Sequence, residues 1–282
     1  MKINLAKSAG FCFGVKRAIS IALDAAHSGN KVYMLGDIVH NEDVVRKIQE
    51  SGIQKVSGLT RPVKNRILLI RAHGTSSAVI AKATKLGYIV IDATCPMVKD
   101  IHRVAREMEQ KGYTIIVIGD KHHDEIKGIA GNLKQTPLII ADGKHLPLRA
   151  IADIKKACAI VQSTQNIDTV AKIIVILKKY IPDLKFVNTI CRPTRIKQDE
   201  IKRMPLENDV MIVIGSKHSA NTKRLYEISK SINRRSFWIN SAEELKKEWF
   251  EGVETTGITA GASTPESTIQ DIIRNINKII KK

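Results

Sequence analysis

Aromatic residues are scarce in this 282-residue chain: they make up 4% of it, against 43% for all apolar residues, so any core must be built from Ile, Val, Leu and Ala. No apolar run approaches a bilayer crossing; stretches such as Ile173 to Leu177 are far too short. The N-terminus has an early Lys but no apolar h-region and no small-residue cleavage site, which argues against a signal peptide and sets the expectation of a cytoplasmic protein without a membrane. There is no G-x-G-x-x-G after a strand, no Walker A loop and no G-x-S-x-G elbow, so the common dinucleotide, nucleotide and serine-hydrolase sites are excluded. No C-x-x-C pair is present, which removes the usual structural zinc site, and four cysteines in a cytoplasmic chain do not make a disulfide framework. Acidic residues are outnumbered, 28 against 46 basic, for a net charge of +18. The basic residues are spread along the chain with no arginine-rich tract and no aromatic stacking motif. This reads as no nucleic-acid partner but as a surface that suits a small anionic substrate or an acidic redox partner.

What is present is a spacing. Cys12, Cys95 and Cys191 lie almost evenly along the chain. Each follows a short apolar run (Lys2 to Leu5, Tyr88 to Ile91, Phe186 with Val187) and precedes helix-like sequence. The layout suggests three similar α/β units, each offering one thiolate at a strand-to-helix turn. Three thiolates on one point would make a metal site one ligand short; the competing reading is three buried thiols at unit boundaries. Cys158, inside Ala157-Cys-Ala-Ile-Val, reads as a small buried hydrophobe.

An internal repeat points the same way. Ile67 to His73, Ile115 to His122 and Met211 to His218 are each a continuous apolar run followed by a polar loop with His. Such runs suit parallel strands buried on both faces, and ligands of open parallel sheets sit beyond the carboxyl ends of the strands. Further strands are expected at Lys31 to Leu35, Ile89 to Ile91, Leu138 to Ile140, Ala159 to Val161, Ser236 to Ile239 and Thr256 to Thr259. Helices are expected after Cys12 and Cys95 and over Asp168 to Tyr180 and Leu225 to Ile232; the segment after Cys191 is less regular, with an early Pro193 and many charges. Boundaries near Cys95 and Cys191 give lobes 13–95, 96–190 and 191–282, the last completed by the N-terminal strand, 1–12.

Widely separated single cysteines suit a cluster held between lobes, and an iron–sulfur cube with three Cys ligands leaves one iron open as a Lewis acid. His40, His73 and His123 sit in loops at apparent strand ends, beside Ser216 to Thr222 and Ala260 to Ser263, which precede helices. Imidazoles, hydroxyls and helix N-termini together make an anion pocket, or else plain helix caps. Glu125, two residues after His123, is the one acid amid these loops and is suited to proton delivery; Gln162 to Gln165 add hydroxyls near the same rim.

At these residues the chain resembles a known family. Gly10-Phe-Cys12-Phe-Gly-Val-Lys-Arg-Ala, Val39-His40-Asn, Ala72-His73-Gly, Asp92-Ala-Thr-Cys95-Pro-Met-Val, His123-Asp-Glu125, Gly215-Ser-Lys-His-Ser219-Ala-Asn221 and Thr259-Ala-Gly-Ala-Ser263 are similar to motifs of the hydroxymethylbutenyl diphosphate reductase (LytB) family, iron–sulfur enzymes of the last step of methylerythritol phosphate isoprenoid synthesis. The resemblance implies three pseudo-symmetric α/β lobes with small, largely parallel sheets around a central cluster. It implies one [4Fe–4S] cluster per chain, ligated by Cys12, Cys95 and Cys191. It further implies diphosphate binding by His40, His73, His123, Ser163, Ser219, Ala220, Asn221 and Ser263. Glu125 matches the proton donor and Ser163 a hydroxyl relay. The expected reaction is two-electron removal of the substrate hydroxyl, giving isopentenyl and dimethylallyl diphosphate, with ferredoxin or flavodoxin as donor to a monomeric enzyme. Four positions depart from the family pattern: Ser163 stands for Thr, Ala220 for Ser, His218 for Asn, and Asp124 for Pro, and the stretch after Cys191 also differs. The rival from another class is a phosphate-ligand binding or sensor protein with a structural metal.

Overall fold

Continuous β-branched runs become the interior strands of the fold, as expected for parallel sheets covered on both faces. The computed structural model describes residues 1–59 and 64–280. In chain order the described residues form β1 (Lys2–Leu5), α1 (Phe13–Ala26), β2 (Lys31–Leu35), α2 (Glu42–Glu50), β3 (Gln54–Val56), β4 (Arg66–Ile70), α3 (Ser77–Lys85) and β5 (Tyr88–Asp92). Then follow α4 (Pro96–Gln110), β6 (Thr114–Ile118), α5 (Asp124–Ala130), β7 (Leu138–Ile140), α6 (Leu148–Ala152), β8 (Lys156–Val161), α7 (Ile167–Tyr180) and β9 (Asp183–Phe186). The chain ends with α8 (Arg192–Glu207), β10 (Val210–Ile214), α9 (Ala220–Ile232), β11 (Ser236–Ile239), β12 (Thr255–Ala260) and α10 (Glu266–Ile280).

The strands make three four-stranded sheets, ordered β3-β2-β4-β5, β7-β6-β8-β9 and β11-β10-β12-β1, and every pairing is parallel. The order repeats. In each sheet the first strand lies between the second and the third, and a fourth lies outside the third. In the last sheet that fourth place is taken by β1, paired to β12 from Lys2↔Thr255 to Leu5↔Ile258. Each switch point therefore falls between a first and a third strand, the place where open parallel sheets bind ligands.

This register corrects the internal repeat read from sequence. Ile115 and Met211 begin runs that form the first strands β6 and β10, whereas Ile67 to Ile70 belongs to β4, the third strand of its sheet. The true counterpart of β6 and β10 is β2. Polar loops with His or Ser follow both first and third strands, so similarity of run plus loop does not distinguish the two.

Chain contacts divide the molecule into two compact units. One comprises residues 1–15, 40–45 and 192 onward and holds the β11-β10-β12-β1 sheet; the other comprises 16–39 and 46–191 and holds the other two. In the first unit Ile212, Ile214, Ile258, Ile269, Ile272 and Ile276 form one core layer, with α10 on one face of the sheet; Met211, Val213, Ile201 and Leu225 form the other, under α8 and α9. All five residues of β10 are buried. In the second unit Ile116, Ile118, Val161, Ile173 and Leu177 pack on one face of their sheet, and Ile101, Ile115, Val117, Ile126 and Ile160 on the other. Fully burying each such side chain contributes about 1.5–3 kcal/mol. Cys158, fully buried on β8, belongs to the second layer and is one of the core hydrophobes. Two of the edge strands are polar: β3 is Gln-Lys-Val and β9 is Asp-Leu-Lys-Phe, both largely exposed. No helix among the described residues is long and apolar enough to cross a membrane.

Candidate active site

Every residue singled out from sequence stands in a segment that follows the carboxyl end of a strand. After first strands come His40 (β2), His123 with Glu125 (β6), and Ser219, Ala220 and Asn221 (β10). After third strands come His73 (β4), Ser163 (β8) and Ser263 (β12). After fourth strands come Cys12 (β1), Cys95 (β5) and Cys191 (β9), and each cysteine immediately precedes a helix: α1, α4 and α8.

In the two-sheet unit the functional residues form a contiguous series. Cys95 opens α4, with Pro96 in the first turn, and its N–H donates to the Ala72 carbonyl at 3.0 Å, beside His73. The His73 ring meets the His123 ring edge-on, with centroids 5.5 Å apart. His123 caps α5: its Nδ1 accepts the Glu125 N–H at 3.1 Å, which leaves the ring proton on Nε2 in the neutral form. Glu125 is 2% exposed, and its two carboxylate oxygens accept the Ser163 N–H at 2.6 Å and the Ser163 hydroxyl at 2.7 Å. Burial raises the Glu125 pKa, and the two Ser163 hydrogen bonds oppose that rise only in part. The Ser163 carbonyl in turn accepts the Cys191 N–H at 3.1 Å. Gly74 (φ +75) turns the chain after His73, and an added Cβ there would meet His102 Cε1 at 3.0 Å and Thr94 Cγ2 at 3.2 Å.

In the other unit, Cys12 donates its N–H to the Ala262 carbonyl at 3.1 Å, and the Ser263 hydroxyl donates to the His40 carbonyl at 3.0 Å. Glu42, two residues after His40, accepts the Ser216 hydroxyl at 2.8 Å. Ser219 is the N-cap of α9, and its hydroxyl accepts the Thr222 N–H at 3.3 Å. Ala220 opens that helix, where the first N–H groups have no intrahelical acceptor, so its missing hydroxyl leaves a backbone donor in place. The Asn221 amide nitrogen is buried and makes no hydrogen bond, and the residue is 4% exposed. An orphaned buried donor at a helix N-terminus fits an anionic ligand.

The donor set also fits an iron–sulfur group. Cys12, Cys95 and Cys191 are half-buried, hence reachable, and stand at helix N-termini whose positive partial charge suits anionic ligand atoms. Cys158 is the contrast: burial pushes its thiol up to about 11, against a weaker opposite pull from Lys185.

A model of the LytB protein family matches residues 3–277. The chain belongs to the LytB family. It is 38% identical to the 4-hydroxy-3-methylbut-2-enyl diphosphate reductase of Geobacter sulfurreducens over 100% of this chain and 99% of that protein. It is 37% identical to the Aquifex aeolicus reductase over 98% and 96%. Among solved structures, that of an (E)-4-hydroxy-3-methyl-but-2-enyl diphosphate reductase, described as the terminal enzyme of the non-mevalonate pathway, superposes with a TM-score of 0.71 at 35% identity, covering 99% of this chain and 100% of that one. The Plasmodium falciparum reductase superposes with a TM-score of 0.88 at 29% identity, covering 96% and 86%. The three small all-parallel sheets are thus the LytB fold.

Several supporting contacts escaped the sequence reading. Arg71 pairs with Asp124 at 2.7 Å, an ion pair between the His73 and His123 loops. Gln162 Oε1 accepts the Asp120 N–H at 2.8 Å and ties the loops after β6 and β8. Arg17 reaches the Thr94 carbonyl at 3.1 Å, next to Cys95. His102 is buried on α4, and its pKa falls to about 4, chiefly through burial, with Arg106 adding and Asp92 opposing. Lys197 and Glu200 hold the loop before Cys12. Long-range partners of this kind leave no local pattern; the only signal available was the unusual charge density after Cys191.

Proposed function

We propose that this chain is a cytoplasmic 4-hydroxy-3-methylbut-2-enyl diphosphate reductase, which converts its substrate to isopentenyl and dimethylallyl diphosphate. Family membership over essentially the whole chain supports the reaction class. The observation that carries the reading to chemistry is the Glu125–Ser163 pair, a buried carboxyl held by a hydroxyl in the segment whose carbonyl receives the Cys191 N–H.

Cys12, Cys95 and Cys191 would hold one [4Fe–4S] cluster. When bound, such a cluster supplies an open iron as Lewis acid and electrons one at a time. The remaining work falls to side chains of this protein. His40, His73, His123, Ser219, Asn221 and Ser263, with the Ala220 N–H, take the diphosphate. The Nε2–H of neutral His123 and the orphaned Asn221 amide are donors suited to phosphoryl oxygens. The net reaction replaces C–OH by C–H and releases water, so it consumes two electrons and two protons. Burial raises the Glu125 pKa and so strengthens its hold on a proton, and the Ser163 hydroxyl 2.7 Å away can pass it on. Both groups are buried, which keeps bulk water from competing for that proton. The chain's net charge of +18 suits an acidic one-electron donor, a ferredoxin or flavodoxin, and the enzyme works as a monomer of lobes 13–95, 96–190 and 191–282, with 1–12 completing the third.

A buried carboxyl such as Glu125, with no ion pair among the described residues, favours a proton-transfer role over one in binding alone. The test is to supply substrate and a one-electron reductant without oxygen and follow products by mass spectrometry. Appearance of the two isoprenoid diphosphates supports the reductase; tight binding with no turnover by iron-loaded protein would favour the sensor.

A further inference from the structure

The segment that presents Cys12 is a turn with no regular secondary structure of its own. It runs from Lys7 to Gly10 outside any strand or helix, and Gly10 adopts a positive φ of +87. Two side chains one turn apart on α8 grip it from its two chemical sides. The Lys197 ammonium donates to the carbonyls of Ser8 and, at 3.1 Å each, of Gly10 and Ala260, so its three hydrogens meet three backbone acceptors. The Glu200 carboxylate accepts the N–H of Lys7 at 2.6 Å and of Ser8 at 3.0 Å, together with the Ser8 hydroxyl. Lys197 is 2% exposed, and so deep a cation needs all of these acceptors.

We propose that Lys197 and Glu200 are positioning residues that hold the Cys12 loop in its ligand geometry. The inference rests on Cys12 being a cluster ligand. The cation takes the loop's carbonyls, the anion takes its N–H groups, and the i, i+3 spacing on one helix makes them a single rigid device. Burial pulls the Lys197 pKa down to about 8, against the attraction of Cys12 and Glu200. Burial disfavours the Glu200 carboxylate, but the Ser8 hydroxyl, the Ser8 and Lys7 N–H groups and Lys197 outweigh it and hold the carboxyl below its ordinary range. Partners outside the ligand shell commonly tune metal sites in this way.

The test uses oxygen-free, cluster-loaded protein as purified. Lys197→Met keeps the bulk and removes the donors; Glu200→Gln keeps the shape at a half-buried position and is the milder change should Lys197→Met fold poorly. Glu200→Gln is expected to melt close to wild type and Lys197→Met somewhat lower, and each folded variant to lose iron to a chelator about tenfold faster, the scale on which outer partners alter metal affinity. The electron-spin spectrum of the reduced cluster should shift as well, which a merely structural defect would not produce. Folded variants with wild-type iron release and an unchanged spectrum overturn the clamp. Full iron and an unchanged spectrum in Cys12→Ser overturn the ligand assignment itself, a different failure.

Discussion

Ser163 gives Glu125 both of its hydrogens, the N–H at 2.6 Å to one carboxylate oxygen and the hydroxyl at 2.7 Å to the other. A buried carboxyl is thereby fixed in orientation while burial raises its affinity for a proton. That pairing suits Glu125 to the proposed role of proton donor, with Ser163 as the neighbour that governs release.

Glu125→Gln is expected to keep the cluster and to lower turnover by about 10²- to 10⁴-fold, the usual share of a general acid. Stability gives an independent sign. The folded-state pKa lies above the ordinary 4.5, so wild-type stability is complete below that value and declines as pH rises through the raised pKa, where the buried group must ionise. Melting curves from acid to neutral pH should show this decline in wild type and lose it in Glu125→Gln.

Ser163→Ala removes a hydrogen bond that favours the ionised form of Glu125, so the Glu125 pKa rises further. A hydrogen bond to a charged group contributes about 1.5–3 kcal/mol, and one pH unit corresponds to about 1.4 kcal/mol, so the alkaline limb of kcat/KM should move up by about one unit or more. Ser163→Thr should keep the wild-type profile, because the hydroxyl survives.

Arg71 and Asp124, each about one-fifth exposed, join the two histidine loops. Asp124 is the first residue of α5, a position where proline is accepted, so Asp124→Pro should fold. Without the ion pair the His73 and His123 rings lose a constraint on their mutual position. KM should rise several-fold with little change in kcat, and a double-mutant cycle with Arg71→Met should return a coupling of about 1 kcal/mol.

Asn221→Ala deletes a buried donor that has no partner in the ligand-free protein. Thermal stability without substrate should therefore change little, while diphosphate affinity measured by calorimetry should fall about tenfold or more, the loss expected for a hydrogen bond to a charged group. Asn208→Ala is the control. That side chain donates to the Met204 carbonyl at 2.8 Å and accepts from Asn4, so its loss should cost stability and leave affinity unchanged.

Several strands were legible because short apolar runs bounded by turn residues have few alternatives: β2, inside its sheet, and the edge strands β7 and β11 occupy the ranges expected from sequence. The edge strand β3 was not, since Gln-Lys-Val has neither apolar continuity nor alternation. Helix α8 was blurred by Pro193 and its charges, because Lys197 and Glu200 serve the loop before Cys12 and break the amphipathic pattern. Among the site residues, Glu125 was legible as an acid two residues after His123 in a setting rich in His and hydroxyls, but its bond to Ser163 crosses from β6 to β8 and has no local trace. The equivalence of β2, β6 and β10 was hidden by the resemblance of β4 to first strands, and only sheet order exposes it.

The central claim is that three cysteines, each directly ahead of a helix, hold one cluster, and iron and acid-labile sulfide content after oxygen-free purification tests it most directly. The account predicts a [4Fe–4S] complement in wild type and in Cys158→Ser, and loss of intact cluster in each of Cys12→Ser, Cys95→Ser and Cys191→Ser. Full iron and sulfide in any of those three, or their loss in Cys158→Ser, would contradict it.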